Sequence, residues 1–418
     1  QPEQVTMEDC LGRTASLEEL HHEVESLFLR EFGCKPDSVV YAPGRVNIIG
    51  EHTDYNDGFV LPMALPLVTM MAGKRIESNV VNVVTGGKDV TTRLTPGSPK
   101  DICVSFPVPD PKQERRDGAQ RIPDVEWANY VKGVLVNYKR LCGAFNSAIV
   151  STVPLGGGLS SSAALEVATY TLLEQLFPID HPVTPVEKAL ACQEAEHVYA
   201  NVPCGIMDQF VSVMATENHL LCIDCESMRV TQVPFQNPHV VVLITNSNVR
   251  HNLGSSEYPV RRQQCEAASK AMGKRSLRLC TLEDLEAAGI EDETIKRRAH
   301  HVISENARVQ QAIESLKTTD YYRLGALMNE SHASLREDFA VSCPEIDLLV
   351  DIAQRQPGVY GSRITGGGFG GCTVTLVKRS HVDDLMKAIY DGYASPERRP
   401  NFYVCNASGG AAVFNTGT

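Results

Sequence analysis

The stretch VPLGGGLSSSAAL, at residues 153–165, decides how the rest of the chain is interpreted. Its glycines let a ligand approach the backbone closely, and a helix is predicted to begin at its serines. The first N–H groups of a helix have no internal partner, so that end of a helix attracts an anion such as a phosphate. The lysine of the common P-loop is absent. A nucleotide held here therefore needs positive charge from elsewhere.

A second glycine-rich stretch, TGGGFGGC at residues 365–372, separates two predicted strands. So many glycines weaken a strand unless another backbone segment or a ligand comes close. A bulged hairpin is the alternative interpretation. The stretch also contains a GxGxxG pattern, but this pattern does not lead from a strand into a helix. A dinucleotide-binding site is therefore not predicted.

A third stretch, APGRVNIIGEHTDYNDG at residues 42–58, concentrates polar side chains beside an apolar strand. Such side chains suit a metal ion or the hydroxyl groups of a sugar, because each hydroxyl both donates and accepts a hydrogen bond. A solvated turn is the alternative, and Asn47 is expected to brace the loop. The polar residues are Arg45, Asn47, Glu51, His52, Asp54 and Tyr55.

Composition excludes several classes of protein. The formal net charge of -12 disfavours non-specific binding to nucleic acid. No run of eighteen apolar residues predicts a membrane span, and the polar, acidic first residues are unlike a signal peptide. The 13 scattered cysteines favour reduced thiols, and the C-x-x-C of Cys222 and Cys225 has no second pair to complete a zinc site. We therefore expect a cytoplasmic protein with no nucleic-acid or membrane partner.

Hydrophobic periodicity predicts helices mixed with strands without strict alternation, which indicates an α+β fold. Residues 38–50 are predicted as strand, Pro-Gly turn and strand, residues 202–210 as a loop, and residues 95–125 as a long surface loop or insertion. Helices are predicted at residues 16–32, 127–141, 161–177, 184–201 and 381–393 and over most of 257–355. Further strands are predicted at residues 67–75, 79–86, 144–154, 219–224, 239–245, 359–377 and 401–408.

In this order, the three stretches resemble the galactokinases of the GHMP kinase family. GRVNIIGEHTDY (44–55) is similar to the galactokinase signature, VPLGGGLSSSA to the ATP loop and TGGGFGGC to the third motif. The segments PCGIMDQF and ITNSNVRHNLGSSEYPVRR also resemble galactokinase segments. The resemblance implies a two-domain GHMP kinase fold with the active site in the interdomain cleft. We expect the domains to comprise residues 14–205 and 206–410.

The resemblance also implies an activity, the transfer of phosphate from ATP to the anomeric C1 hydroxyl of galactose, which begins galactose catabolism. It makes Asp208 the catalytic base and places Arg45 beside it. A carboxylate paired with a guanidinium is a weak base, so Asp208 either acts late or mainly orients the hydroxyl, while Arg45 stabilises charge on the γ-phosphate. His52 has an alternative role as a core histidine. The implied sugar-binding residues are Arg45, Glu51, His52, Asp54, Gly205, Asp208 and Tyr258.

For the nucleotide, the resemblance implies ATP contacts in the 153–165 stretch and Mg²⁺ on Ser162 and Glu196, with Glu194 close by. Few protein ligands suit Mg²⁺, which sheds its water reluctantly. Trp127 is implied on the adenine side, and plain helix packing is its alternative. The implied ATP-binding residues are Gly156, Gly157, Gly158, Leu159, Ser160, Ser161, Ser162 and Trp127.

Three other functions stay open at this point. One is a kinase for N-acetylgalactosamine, which needs room for an acetamide at C2. Another is a non-catalytic sensor that binds galactose and ATP. The third is an acidic metal-binding module formed by Glu51, His52 and Asp54. The resemblance implies a monomer or a homodimer.

Overall fold

The protein is described by a computed structural model that covers residues 6–86, 102–250 and 254–415. Its strands are β1 (Ser38–Asn47), β2 (Phe59–Val60), β3 (Pro62–Arg75), β4 (Val80–Thr85), β5 (Ile102–Pro107), β6 (Phe145–Ser151), β7 (His219–Asp224), β8 (Arg229–Pro234), β9 (Val240–Arg250), β10 (Val359–Thr365), β11 (Gly370–Lys378), β12 (Asn401–Cys405) and β13 (Ala412–Val413). Its helices are α1 (Leu17–Phe32), α2 (Pro111–Asp117), α3 (Glu126–Asn137), α4 (Ser161–Leu176), α5 (Pro185–Ala195), α6 (Met207–Met214), α7 (Gly254–Ala271), α8 (Leu282–Ala287), α9 (Glu293–Lys317), α10 (Tyr321–Glu337), α11 (Pro344–Gln354) and α12 (Val382–Tyr393). Within these three ranges, no helix combines the length and apolar content needed to cross a bilayer.

Strands and helices are arranged in three sheets with helices packed on them, which confirms the α+β prediction. The largest sheet has the order β13-β1-β3-β6-β4-β5, in which β4 and β6 are parallel. A second sheet has the order β10-β11-β9-β12, and a third has the order β2-β7-β8. Alternate residues of β1 point to opposite sides of the largest sheet. Val39 therefore packs with α1, whereas Val40 packs with α3 and α4.

The predicted starts of two helices are confirmed by their capping groups. The Ser16 hydroxyl accepts from the Glu19 N–H and the Glu19 carboxylate accepts from the Ser16 N–H, which is a capping box. The same reciprocal pair forms between Thr184 and Glu187 at the start of α5. Gly33 ends α1 in the left-handed region at φ 68°, as expected of a glycine after the last helical turn.

One core joins the first polar stretch to the second half of the chain. Val46 and Ile48 of that stretch are buried in the same cluster as Ile244 on β9, Met328 on α10 and Val374 on β11. These residues are far apart in the sequence and come together only through the tertiary fold. The polar side chains between residues 45 and 58 are therefore fixed against both halves of the chain.

The predicted Pro-Gly turn within residues 38–50 is wrong. β1 runs continuously through it, with a bulge between Pro43 and Arg45. The glycine serves close packing, since a Cβ on Gly44 would lie 2.6 Å from the carbonyl oxygen of Leu159. Nothing in the local sequence distinguishes this use of Pro-Gly from a turn.

The predicted loop at residues 202–210 is also wrong in part, because α6 begins at Met207. Apolar residues at helical spacing on α6, Met207, Phe210 and Val211, are buried in one small core cluster. The helix therefore forms around the segment that carries Asp208, which lies in its first turn.

The prediction for residues 95–125 needs correction where the structure describes them. Residues 95–101 lie outside the described residues. From residue 102 the chain forms β5, which pairs antiparallel with β4, and then α2, whose first turn is capped by Asp110. Strand β8 was not predicted, because its residues are mostly exposed and lack a clear apolar alternation. The helix predicted at 184–201 ends in a π-helical turn, Glu196–Ala200.

Candidate active site

The three stretches identified in the sequence meet in the structure. The Arg45 N–H donates to the Leu159 carbonyl at 3.0 Å, which joins the first polar stretch to the phosphate-type loop. A Cβ on Gly158 would lie 3.6 Å from the Thr365 carbonyl oxygen, and one on Gly366 would lie 3.2 Å from the Gly158 carbonyl oxygen. The two glycine-rich loops are thus packed backbone against backbone, as the sequence suggested for strands rich in glycine.

Arg45 and Asp208 form a bidentate ion pair at this junction. Arg45 Nε donates to Asp208 Oδ1 at 2.7 Å, and Nη2 donates to Oδ2 at 3.0 Å. The remaining guanidinium nitrogen, Nη1, donates to the Gly158 carbonyl at 2.6 Å. The Ser160 hydroxyl donates to Asp208 Oδ2 at 2.5 Å. The ion pair is therefore bonded to the phosphate-type loop through both of its members.

A cavity of about 180 Å³ opens on one side of this ion pair. All seven sugar-binding residues implied by the sequence line it. Seven further lining residues were not in that set: Tyr55, Glu196, Val202, Cys204, Met207, Gly366 and Gly367. Gly366 and Gly367 belong to the third motif, so the motif itself was the signal that could have placed them here.

Gly205 is required by the packing of the cavity wall. A Cβ built on this residue would overlap the Asp54 carboxylate. The neighbouring Cys204 carbonyl is held by the Gln193 amide at 3.2 Å and by His197 Nε2 at 2.8 Å. The glycine is therefore fixed against Asp54, and the position admits no side chain.

Two ionisable groups of the cavity have strongly shifted pKa values. Burial, aided by the nearby charge of Asp208, raises the pKa of Asp54 to about 7. Burial, together with His301, lowers the pKa of His52 to about 3, so this imidazole is neutral at physiological pH. The cavity therefore offers groups that can both donate and accept hydrogen bonds, as recognition of a sugar hydroxyl requires.

The His52 ring is held by its neighbours. Its Nδ1 lies 2.8 Å from the Tyr55 hydroxyl, and its ring centroid lies 5.7 Å from that of Tyr258 and 4.8 Å from that of Phe339. Its Nε2 is buried with no hydrogen-bond partner among the described residues. The backbone of His52 has φ 60°, a left-handed conformation that a non-glycine residue adopts at a cost, often at functional sites.

Glu51 is oriented by the third motif. Its Oε1 accepts from the Gly366 N–H at 2.9 Å and from the Thr365 hydroxyl at 3.2 Å. The same oxygen lies 3.3 Å from Arg363 Nη2, a fully buried guanidinium that also donates to the Asn47 carbonyl at 2.6 Å. The Asn47 side chain donates to the Gly50 carbonyl at 3.0 Å, which confirms that it braces the loop.

Ser162 and Glu196 form a candidate metal site beside the phosphate-type loop. The Ser162 hydroxyl donates to Glu196 Oε1 at 3.0 Å. Gln209 Nε2 donates to Glu196 Oε2 at 2.7 Å and to Glu166 Oε2 at 3.0 Å. Burial, with a contribution from Asp208, raises the pKa of Glu196 to about 7.

These residues fit Mg²⁺, because the oxygen ligands they offer are hard and neither Glu166 nor Glu196 forms an ion pair with a basic side chain among the described residues. Glu166 Oε1 and Gln209 Oε1 are buried without a hydrogen-bond partner in the part of the chain that the structure describes. No group of three or more His, Cys, Asp or Glu residues is arranged to hold a metal ion within residues 6–86, 102–250 and 254–415. A magnesium ion at Ser162 would therefore have few protein ligands, and Glu51, His52 and Asp54 gain no support as a separate metal module.

The phosphate-type loop leads directly into α4. Gly156 and Gly158 have φ 67° and 76°, and Ser160 has φ 61° as the N-cap residue of α4. Ser161 is the first residue of that helix, so its N–H and those that follow belong to the end that attracts anions. Trp127 lies in the first turn of α3 and packs against the core cluster of α3 and α4. It does not line the described cavity.

Comparison with known proteins agrees with this geometry. Residues 26–75 match the galactokinase galactose-binding signature, residues 129–216 the GHMP kinases N-terminal domain and residues 312–394 the GHMP kinases C-terminal domain. The chain is 49% identical to a galactokinase from Homo sapiens, over 96% of this chain and 98% of that protein. It is 42% identical to a galactokinase from Haemophilus influenzae, over 93% of this chain and 98% of that protein.

Solved structures give the same result. The structure of Lactococcus lactis galactokinase complexed with galactose matches with a TM-score of 0.84 at 30% identity, covering 94% of this chain and 99% of that one. Mevalonate kinase from Methanococcus jannaschii matches with a TM-score of 0.60 at 17% identity, covering 89% of this chain and 98% of that one, which shows a shared fold. The chain belongs to the galactokinase family of the GHMP kinases.

Proposed function

We propose that this protein transfers the γ-phosphoryl group of ATP to the anomeric C1 hydroxyl of galactose, giving galactose 1-phosphate and ADP. The observation that carries the proposal is the Arg45–Asp208 ion pair, which lies between a polar cavity and a phosphate-type loop. A transferase needs both substrates to meet at one point. Galactokinases are the curated relatives at 42–49% identity, and one solved relative is complexed with galactose.

In the proposed complex, galactose occupies the cavity. Glu51 and Asp54 provide carboxyl groups for its hydroxyls, and neutral His52 provides its unpartnered Nε2. The Tyr258 ring packs beside His52, and Gly205 leaves room for Asp54. Because the cavity wall is fixed by buried hydrogen bonds, the reacting hydroxyl is held in one orientation, which lowers the entropic part of the barrier.

Asp208 is the group we assign to the C1 hydroxyl. Both of its carboxylate oxygens already accept hydrogen bonds, from Arg45 and from Ser160, so both are engaged before a sugar binds. It therefore first orients the hydroxyl and takes the proton late, when the bond to phosphorus has begun to form. In phosphoryl transfer this order is sufficient, since positioning and electrostatics supply most of the catalysis.

Arg45 is the cation that the loop without a lysine requires. Its three hydrogen bonds to Asp208 and Gly158 use three of the five N–H groups of a guanidinium. We assign the other two N–H groups to the γ-phosphoryl group in the proposed complex. A fixed guanidinium at this point stabilises the charge that develops during transfer.

We assign the phosphates of ATP to residues 156–162 and the N-terminus of α4, and the adenine side to Trp127. Ser162 and Glu196 would hold Mg²⁺. When bound, this ion neutralises charge on the phosphates. The protein residues bind and orient the phosphates. The glycines let the phosphates approach the backbone closely, and the serine hydroxyls and helix N–H groups donate hydrogen bonds to them.

We also propose the cellular setting and assembly that the sequence suggested. The protein acts in the cytoplasm as a monomer or homodimer, and its two domains comprise residues 14–205 and 206–410. The cavity is lined from both of these segments, which is the arrangement that an interdomain active site has.

The test is a panel of sugars incubated with ATP, with phosphorylated products identified by ³¹P NMR. We expect ADP and galactose 1-phosphate to form from galactose, and far less product from N-acetylgalactosamine or glucose. A folded protein that binds galactose and ATP without forming product would instead be a sensor. Faster turnover of N-acetylgalactosamine than of galactose would show the amino-sugar kinase.

A further inference from the structure

The segment that contains α2 is not used by the proposed reaction, yet it carries a buried, fully bonded carboxylate. Glu114 on α2 is only 7% exposed. Its Oε1 lies 2.7 Å from Lys132 Nζ on α3. Its Oε2 accepts from the Gln120 N–H at 2.7 Å and from the Tyr199 hydroxyl at 2.7 Å. Burying a carboxylate is costly unless it is bonded in this way, so the arrangement is specific.

The hydrogen bond between Glu114 and Tyr199 connects α2 to a π-helical turn, a rare backbone element. Tyr199 is 1% exposed and lies on the π-helical turn Glu196–Ala200, the turn that also presents Glu196 to Ser162. π-helical turns are uncommon and frequently occur at functional sites. This turn ends at Asn201, a non-glycine residue at φ 61°.

Helix α3 supports the same turn directly. Gly133 allows a close approach, since a Cβ there would lie 2.9 Å from the Ala195 Cβ and 3.0 Å from the Tyr199 Cβ. Lys132, the residue immediately before Gly133, binds Glu114 and donates to the Gln120 carbonyl. Helices α2 and α3 thus hold one side of the turn, while Ser162 and Gln209 hold the Glu196 carboxylate on the other.

We infer that α2 is a positioning segment for the metal site, in which Glu114 acts through Tyr199 to fix the π-helical turn in the register that directs Glu196 at Ser162. The inference rests on the proposed role of Glu196 as a magnesium ligand. Neither Glu114 nor Tyr199 lines the described cavity, so both are positioning residues. Groups that hydrogen-bond a metal ligand directly contribute about 10- to 100-fold to metal affinity. Glu114 and Tyr199 act one step further from the metal, through the backbone of the turn, so we expect an effect at the lower end of that range.

The test measures binding of ADP by calorimetry, with and without Mg²⁺, for the full chain. The variants are Glu114→Gln, which removes the charge, and Tyr199→Phe, which removes one hydroxyl. Asp117→Asn is the matched control, an exposed carboxylate on the same helix. We expect both variants to bind ADP without Mg²⁺ as the wild type does, but to lose about tenfold of the affinity gained with Mg²⁺. The control should keep that gain.

Two results would overturn the inference. One is a magnesium-dependent gain in ADP affinity that is the same in Tyr199→Phe as in the wild type, even if the melting temperature of the variant changes. In that case α2 would have only a structural role. The other is an equal loss of ADP affinity with and without Mg²⁺. Tyr199→Phe decides the matter if Glu114→Gln does not fold. Absence of galactose-dependent turnover in the wild type would reject the proposed function, while the ADP titration would still test this inference.

Discussion

Arg45 and Asp208 lie 163 positions apart in the chain and are joined by two parallel hydrogen bonds, of 2.7 and 3.0 Å. Arg45 comes from a bulged strand, and Asp208 from the first turn of a helix. Such a bidentate contact fixes both the distance and the plane of the two groups. The Gly158 carbonyl and the Ser160 hydroxyl attach the pair to the phosphate-type loop, so the sugar cavity and the loop share one charged junction.

The planar, multidentate guanidinium of Arg45 should matter for catalysis in addition to its positive charge. Arg45→Lys keeps one positive charge but cannot make two parallel bonds to Asp208 and a third to Gly158. We expect kcat to fall by about 10²-fold or more, as for loss of one transition-state donor, with a smaller change in the KM for galactose. Steady-state kinetics of this variant beside the exposed control Arg229→Lys give the comparison. Unchanged kcat in Arg45→Lys would show that only the charge is needed.

Gly205→Ala should damage the sugar site selectively. The added methyl group overlaps the Asp54 carboxylate, so Asp54 must leave its place in the cavity wall. We expect the KM for galactose to rise at least about tenfold while the KM for ATP changes little, since one lost or distorted polar contact costs about 1–3 kcal/mol. Gly409→Ala is the control, because the nearest atom to its Cβ would lie 4.0 Å away. A galactose KM equal to that of the control would refute the role of this contact.

Gly44→Ala should have the complementary effect on the nucleotide. Its methyl group would lie 2.6 Å from the Leu159 carbonyl oxygen, which is too close, so the phosphate-type loop must shift. We expect the KM for ATP to rise several-fold and the free energy of unfolding to fall by roughly 1–3 kcal/mol, the range for overpacking. Kinetics and denaturant unfolding measure the two effects. A larger change in the KM for galactose than in that for ATP would contradict the assignment of this loop.

Asp54→Asn should alter how stability depends on pH. Because the pKa of Asp54 is raised from its ordinary 3.8 to about 7, the folded protein binds this proton more tightly than the unfolded chain does. The wild type therefore loses stability from this group as pH rises from about 4 through 7, and the neutral amide does not. We expect the Tm of Asp54→Asn minus that of the wild type to be small at pH 4.5 and clearly larger and positive at pH 8. Parallel Tm profiles would contradict this.

Much of the site could be predicted because most of its residues stand in a few short, recognisable stretches of sequence. Local patterns were enough for the caps at Ser16 and Thr184 and for the helix after the serines. The resemblance supplied the residues of the cavity wall, since they stand within or beside recognisable motifs. Whether each acts as assigned stays a prediction, as do the domain limits of 14–205 and 206–410.

The rest depends on tertiary contacts that no local pattern carries. The Pro-Gly of β1 packs against a loop more than a hundred residues away, so it has the composition of a turn without forming one. The π-helical turn at Glu196 is supported by Glu114 through Tyr199. The helical spacing of apolar residues in the sequence does not distinguish this turn from a continuing α-helix. Arg363 orients Glu51 from a fully buried position on β10, where the sequence alone suggests an exposed arginine and does not indicate its distant partner.

The central claim is that Asp208 acts on a sugar hydroxyl held beside the phosphate-type loop. Asp208→Asn tests it most directly, because the amide keeps the shape of the side chain and an oxygen for Arg45 while removing the base. The measurement is galactose-dependent formation of ADP, with galactose binding followed in the same preparation. We predict a rate lower by about 10²–10⁴-fold, with galactose still bound by a folded protein. A rate within a few-fold of the wild type would contradict the account.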